Sequence, residues 1–181
     1  MTGNLMGDFM TRAETLNLPD RFRCGYELHL FIDQFTDSHP VVDEFCGYYK
    51  SSESRYAPVV ADVVMDYFLV KNWNEHYDID LDLMTSKIYD SLNDSLHLLP
   101  DKIAGRVGNM VFHRFIDSYK SLEGIENVFS RMRRRIKKEY VFLSVNQVTL
   151  DHESALNSLF NSFYPDLQLA TNKKLLDLMS K

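Results

Sequence analysis

The stretch DRFRCGYELHLFIDQFTDS, residues 20–38, decides the fold class. Leu28, Phe31, Ile32 and Phe35 fall at i, i+3, i+4 and i+7, the spacing that puts apolar side chains on one face of a helix. Pro19 stands just before the stretch and Pro40 just after it, where helix boundaries are expected, and Asp20 is suited to the N-cap. Working outward, the same periodicity predicts helices over 41–50, 58–76, 81–98, 101–119, 122–139 and 149–163. Val60, Val63, Val64 and Tyr67 carry the second of these, and Pro58 suits its first turn. Gly105 and Gly108 are expected to break the fourth, and Pro165 to end the sixth before a short last helix. Residues 139–145 alone have strand-like composition. With 7 Gly and 5 Pro in 181 residues, the chain has few punctuating residues. It reads as all-α, a single-domain bundle of roughly eight helices over residues 1–181.

Hydrophobic residues make up 45% and charged residues 25%, enough apolar material for a packed core and unlike a disordered chain. The formal net charge of -6 argues against nucleic acid as a partner. The most apolar run, 59–70, contains Asp62 and Asp66 and is too short to span a bilayer, so no membrane association is expected. No basic region leads into an apolar run at the N-terminus, so no signal peptide is read there. Cys24 and Cys46 fit neither a CxxC pair nor a zinc-ribbon spacing and are expected to be reduced packing residues in a cytoplasmic protein.

His29, Asp33 and Asp37 are spaced by four and line one side of the first long helix, next to its apolar face. Asp62 and Asp66 repeat that spacing amid Val59, Val60, Val63, Val64, Met65, Phe68 and Leu69. Carboxylates in so apolar a run are expected to be buried. There they must be paired with a base such as Arg55 or Lys71, protonated, or bound to a cation. His29 and Asp33 meeting Asp62 and Asp66 around a divalent metal is one solution, and helical bundles build such sites. A carboxylate-rich donor set favours Mn²⁺, Mg²⁺ or Fe over Zn²⁺ or Cu, and such an ion would activate water against a phosphate ester. No Gly-rich phosphate loop and no GxSxG elbow is present. Asp151-His152 reads as a capping feature. The run RMRRRIKK, residues 131–138, is six-eighths basic in an acidic chain. It is either a solvated helix end or a docking patch for an acidic partner.

Four segments resemble the acyl carrier protein phosphodiesterase family. GNLMGDF, residues 3–9, is similar to its GN-x-x-x-DF element. HLFIDQFTDSHP, residues 29–40, resembles its H-R-x-I-D-x-x-T-D-x-x-P motif. RYAPVVADVVMDYFLVKNW, residues 55–73, resembles its R-x-x-P…D-x-x-x-D-H-F-L…W segment. Towards the end Tyr119, Gly124, Ile125, Met132 and residues 163–167, FYPDL, fall where the family has similar residues. The resemblance implies an all-helical fold distantly related to the HD-type metal phosphohydrolases. It also implies Mn²⁺-type metal dependence and hydrolytic removal of the 4′-phosphopantetheine arm from holo-acyl carrier protein, a small acidic partner. On that basis Asp8, His29, Asp33, Asp62 and Asp66 are the expected metal ligands, and Asp37 and His39 the acid/base groups. Arg133, Arg134 and Arg135 are expected to face the acidic protein. Three departures stand out: the family's F-L-A-H-type segment before the GN motif lies outside this chain, Tyr67 replaces a histidine, and Leu30 replaces an arginine. The rival readings are a phosphohydrolase of the same helical class acting on another phosphoester, and a carrier-binding protein that has lost turnover.

Overall fold

The structure, a computed structural model, describes residues 2–15 and 19–180, all helices, turns and bends, with no strand among them. Eight helices run for seven residues or more. They are α1 (Asp20–Ser38), α2 (Pro40–Glu53), α3 (Ala57–Lys71), α4 (Leu81–Ser95), α5 (Asp101–Phe112), α6 (Leu122–Ile136), α7 (Val145–Asp151) and α8 (Glu153–Met179). Short helical turns fill much of the remainder, among them Thr2–Leu5, Met6–Asp8 and Ser54–Tyr56.

Chain contacts form two compact units. The first comprises Met1–Thr36, Ile79–Arg114 and Asp166–Lys181. Its core gathers Met6, Met10, Phe22, Tyr26, Tyr89, Leu92, Ile103 and Val107. Here α1 buries Phe22 and Tyr26, whereas Leu28, Phe31, Ile32 and Phe35 are only half-buried. The N-terminal segment lies backbone-to-backbone on α1. A Cβ on Gly3 would stand 2.6 Å from the Phe22 carbonyl oxygen, and one on Gly25 would stand 2.6 Å from the Asn4 nitrogen. Both separations are too short for any side chain, so glycine is required on each surface.

The second unit comprises Asp37–Asp78 and Phe115–Pro165. Phe45 meets Phe68 edge-on, with centroids 6.2 Å apart, and Phe68 stacks on Phe160. Phe129 and Phe142 pack 5.0 Å apart. Phe45, Phe68, Phe129 and Val64 are fully buried, each contributing about 1.5–3 kcal/mol of burial. The Tyr49 hydroxyl is hydrogen-bonded to Thr149 Oγ1 at 2.9 Å, which satisfies two polar groups inside this core.

Four sequence expectations need correction. Pro165 does not end a helix: α8 passes through it to Met179, giving up one backbone hydrogen bond rather than the whole helix. Gly105 and Gly108 lie inside α5, which instead ends at His113 before Arg114 adopts positive φ. Residues 139–144 form turns and bends, and α7 begins at Val145. Asp20 is the first helical residue rather than the cap, and the Phe22 N–H bonds back to the Pro19 carbonyl.

Candidate active site

In the first unit the structure brings Asp8, His29 and Asp33 together. His29 and Asp33 are one turn apart on α1, and His29 Nε2 lies 3.0 Å from Asp33 Oδ2. Asp8 ends the Met6–Asp8 turn, with Oδ1 4.0 Å from the same nitrogen. The His29 side chain is 14% exposed and the two carboxylates are 58% and 54% exposed, so the imidazole is sunk and the acids form the rim. A Cβ at Gly7 would overlap the His29 ring, so the glycine before Asp8 leaves the space that the imidazole fills. Gly3, Gly7, Gly25 and His29 thus lie along one line of contact, and the GN-x-x-x-DF pattern acquires a steric meaning.

Electrostatics at this cluster are strained in one direction. Burial pushes the Asp8 carboxyl above its ordinary range; His29 opposes the shift and the charge of Asp33 reinforces it. Two acids crowd one imidazole, and a cation placed there would relieve that repulsion. Two carboxylates and one imidazole suit Mn²⁺ or Mg²⁺ as donors, so the residues present fit a divalent ion in chemistry. Among the described residues no group of three or more His, Cys, Asp or Glu side chains is already arranged to hold one. The two carboxylates converge on His29 Nε2 instead.

The second unit holds the other expected site residues. Asp62 and Asp66 are exposed, which overturns the expectation that they are buried. Helix α3 buries Ala57, Val60, Ala61, Val63, Val64, Met65, Tyr67 and Phe68, most of its circumference. The exposed residues are Pro58, Val59, Asp62, Asp66 and Lys71, so most of the apolar surroundings in sequence belong to the other faces. Asp62, Asp43 and Asp37 all act on the Cys46 thiol, which burial first of all pushes upward. Asp37 and Asp62 therefore share one acidic neighbourhood. Asp66 adds to the upward push on the Tyr164 hydroxyl, which burial and its hydrogen bond with Tyr77 dominate.

His39 caps α2: its backbone is extended, and Nδ1 accepts the Val41 N–H at 3.3 Å. Its ring packs edge-on against Phe163, with centroids 5.0 Å apart. The sequence signal for this duty is Pro40, which suits the first helical position; histidine itself is not a favoured N-cap residue. Tyr67 is buried, with its hydroxyl 3.5 Å from Glu153 Oε1, and Glu153 pairs with Lys71. Burial raises its pKa, so it is a neutral phenol at pH 7 rather than an anionic donor. Leu30 is exposed. Arg133 turns inward with its side chain 14% exposed, bonding Glu126 Oε1 at 2.6 Å and reaching the Phe142 carbonyl at 3.5 Å. It is therefore withdrawn from the expected partner-facing set, whereas Arg134 and Arg135 are exposed. Asp151 ends α7 and His152 is its C-cap, packed on Tyr48, so the pair caps the end of one helix and not, as expected, the start of the next.

Comparison with known proteins adds an independent finding. The family model described as acyl carrier protein phosphodiesterase matches residues 1–167. A protein of Escherichia coli strain K12 / DH10B named acyl carrier protein phosphodiesterase is 28% identical over 180 residues, covering 97% of this chain and 92% of its own length. A protein of the same name from Yersinia enterocolitica is 26% identical over 175 residues, covering 96% and 91%. No solved structure matches.

Proposed function

The chain belongs to the acyl carrier protein phosphodiesterase family, a family of hydrolases, and from that premise we propose that it cleaves the phosphodiester between 4′-phosphopantetheine and a serine of holo-acyl carrier protein, releasing the apo protein. The observation that carries this reading is the sunken His29 imidazole lodged between the Asp8 and Asp33 carboxylates, with Gly7 making room for it. These three side chains would hold a divalent cation, Mn²⁺ first and Mg²⁺ or Fe as alternatives. Bound there, the ion supplies an acidified water and neutralises phosphoryl charge. Asp8 and Asp33 both face His29 Nε2, the nitrogen that would meet the ion, and Asp8, whose carboxyl burial pushes above its ordinary range, would make cation capture depend on pH. Asp37 and His39, carried over from the family resemblance, are the proposed acid/base groups. Arg134 and Arg135 offer exposed positive charge to an acidic protein. Free thiols at Cys24 and Cys46 support a cytoplasmic setting, and no helix among the described residues is long and apolar enough to cross a membrane.

The test is intact-mass measurement of holo-acyl carrier protein incubated with the enzyme, with and without Mn²⁺. Conversion to the apo mass is expected with Mn²⁺, and its loss in His29→Gln and Asp33→Asn. Absence of conversion with Mn²⁺, Mg²⁺ and Fe²⁺ alike overturns the hydrolytic reading. Asp62→Ala and Asp66→Ala decide whether the exposed acids of α3 share in the chemistry: turnover within twofold of wild type removes them from the donor set. A second reading, carrier binding without turnover, is favoured by Tyr67, whose hydroxyl is committed to Glu153. Retained carrier binding with no mass change under any of the three metals selects it.

A further inference from the structure

Arg55 belongs to a motif that the proposed hydrolysis leaves unused. It sits in the Ser54–Tyr56 turn after α2, on the wall of a cavity of about 330 Å³ in the second unit. Tyr56, Ser54, Lys138 and Tyr140 line the same cavity. Arg55 Nη2 donates to the Tyr56 hydroxyl at 2.9 Å, and the guanidinium carbon stands 4.9 Å from the Tyr56 ring centre. Lys138 Nζ approaches that ring to 5.6 Å. Two cations therefore face one phenol, and the Arg55 hydrogen bond and their charge lower the pKa of its hydroxyl.

Neither Arg55 nor Lys138 forms an ion pair among the described residues. The acid in the cavity lining, Glu53, is 5% exposed; it accepts the Phe142 N–H at 2.8 Å and the Ser144 hydroxyl at 3.5 Å. Its charge is turned to the backbone and does not answer the two bases. Because the Tyr56 oxygen already accepts from Arg55, its own hydrogen is left to donate. Spare N–H groups of Arg55 and Lys138 and the Ser54 hydroxyl complete a set in which donors dominate.

Ser54, just before Arg55, has a positive φ of 43°, whereas Lys137, just before Lys138, is left-handed as the C-cap of α6, its N–H bonding the Arg133 and Arg134 carbonyls. Such conformations cost non-glycine residues of order 1 kcal/mol or more and persist where surrounding structure imposes them.

We propose that this cleft binds an oxyanion of the phosphate class through Arg55, Lys138 and the hydroxyls of Tyr56 and Ser54. Donors from two separate chain segments around a cavity suit a tetrahedral anion, with the Arg55 fork supplying direction and Lys138 a point charge. The proposal does not rest on the hydrolytic reading, since none of its residues belongs to the Asp8–His29–Asp33 cluster. The anion has two chemical sources, free phosphate and the phosphate end of an ester such as phosphopantetheine.

NMR titration of the ¹⁵N-labelled full chain separates these sources, using inorganic phosphate in one arm and phosphopantetheine in the other, at ionic strength fixed with sodium chloride. Saturable shifts of the Arg55 side-chain N–H and the Tyr56 amide are expected. Binding should weaken at least tenfold in both Arg55→Gln and Lys138→Met and stay unchanged in Arg12→Gln. The arm that saturates at the lower concentration names the source. Shifts that chloride alone reproduces, shifts that never saturate, or saturable binding that survives both substitutions in a folded protein overturn the proposal.

Discussion

Asp8 is the residue whose protonation should be readable in solution. Its carboxyl holds a proton to higher pH in the folded chain than its ordinary 3.8, chiefly through burial. Above that pH the folded state binds more protons than the unfolded state, so stability falls as pH rises through the interval between the two values. Asp8→Asn removes this dependence. In cation-free buffer its urea midpoint should decline less than that of wild type as pH rises above 3.8, by a small amount given the exposure of the side chain. Gly7→Ala places a methyl group where the imidazole sits. Displacing His29 by about 1 Å should lower turnover on the order of 10²-fold, a loss read by steady-state kinetics while the far-ultraviolet circular dichroism stays helical. His39 carries two duties that substitution can part. His39→Ala should cost about 1 kcal/mol by uncapping α2, whereas His39→Asn keeps a capping side chain and removes the titratable ring. Denaturation midpoints report the first effect. A flattened pH–rate profile in His39→Asn reports the second.

At the scale of the helix, glycines of the same type have opposite expected effects. Gly47 in α2 and Gly105 in α5 have open space where a Cβ would go. Gly47→Ala and Gly105→Ala should each raise stability by about 0.5–1 kcal/mol through helix propensity, measured as higher urea midpoints. Gly124, in the first turn of α6, would drive a Cβ into the Ser118 carbonyl, so Gly124→Ala should lower the midpoint. Helix α1 was legible because its apolar spacing and both flanking prolines agree, and it runs from Asp20 to Ser38, with Asp20 inside the helix instead of capping it. Pro165 misled because a missing N–H removes only one rung of the ladder, and α8 has buried Phe160 and Phe163 just before it to hold the helix together. The site was legible in half. The i, i+4 relation of His29 and Asp33 is fixed by helix geometry, so sequence placed it correctly. The exposure of Asp62 and Asp66 depends on how much of α3 is enclosed, which neighbours in sequence do not reveal.

Across the whole molecule, the charge distribution sets how partners meet. The chain is acidic, at -6, yet α6 ends in exposed Arg134 and Arg135, followed by Lys137. Association with an acidic protein should therefore slow as salt rises. Arg134→Glu with Arg135→Glu should reduce the association rate constant about tenfold at low ionic strength, measured by stopped-flow, with little change in stability. Arg133→Glu should behave differently, because Arg133 is bonded to Glu126: reversal sets two carboxylates together and lowers the melting temperature. The all-helical class was readable from sparse glycine and proline. Which of the three arginines turns inward was not, because Glu126 lies two turns away and many pairings were open to it.

The backbone-on-backbone seating of Gly3 against α1 reaches beyond packing. It makes the placement of Asp8 an inheritance from a contact five residues upstream. A genetic screen for inactive variants would therefore collect changes at Gly3 and Gly25 alongside those at His29, and a map drawn from phenotype alone would credit two hydrogen atoms with chemistry that they only make room for.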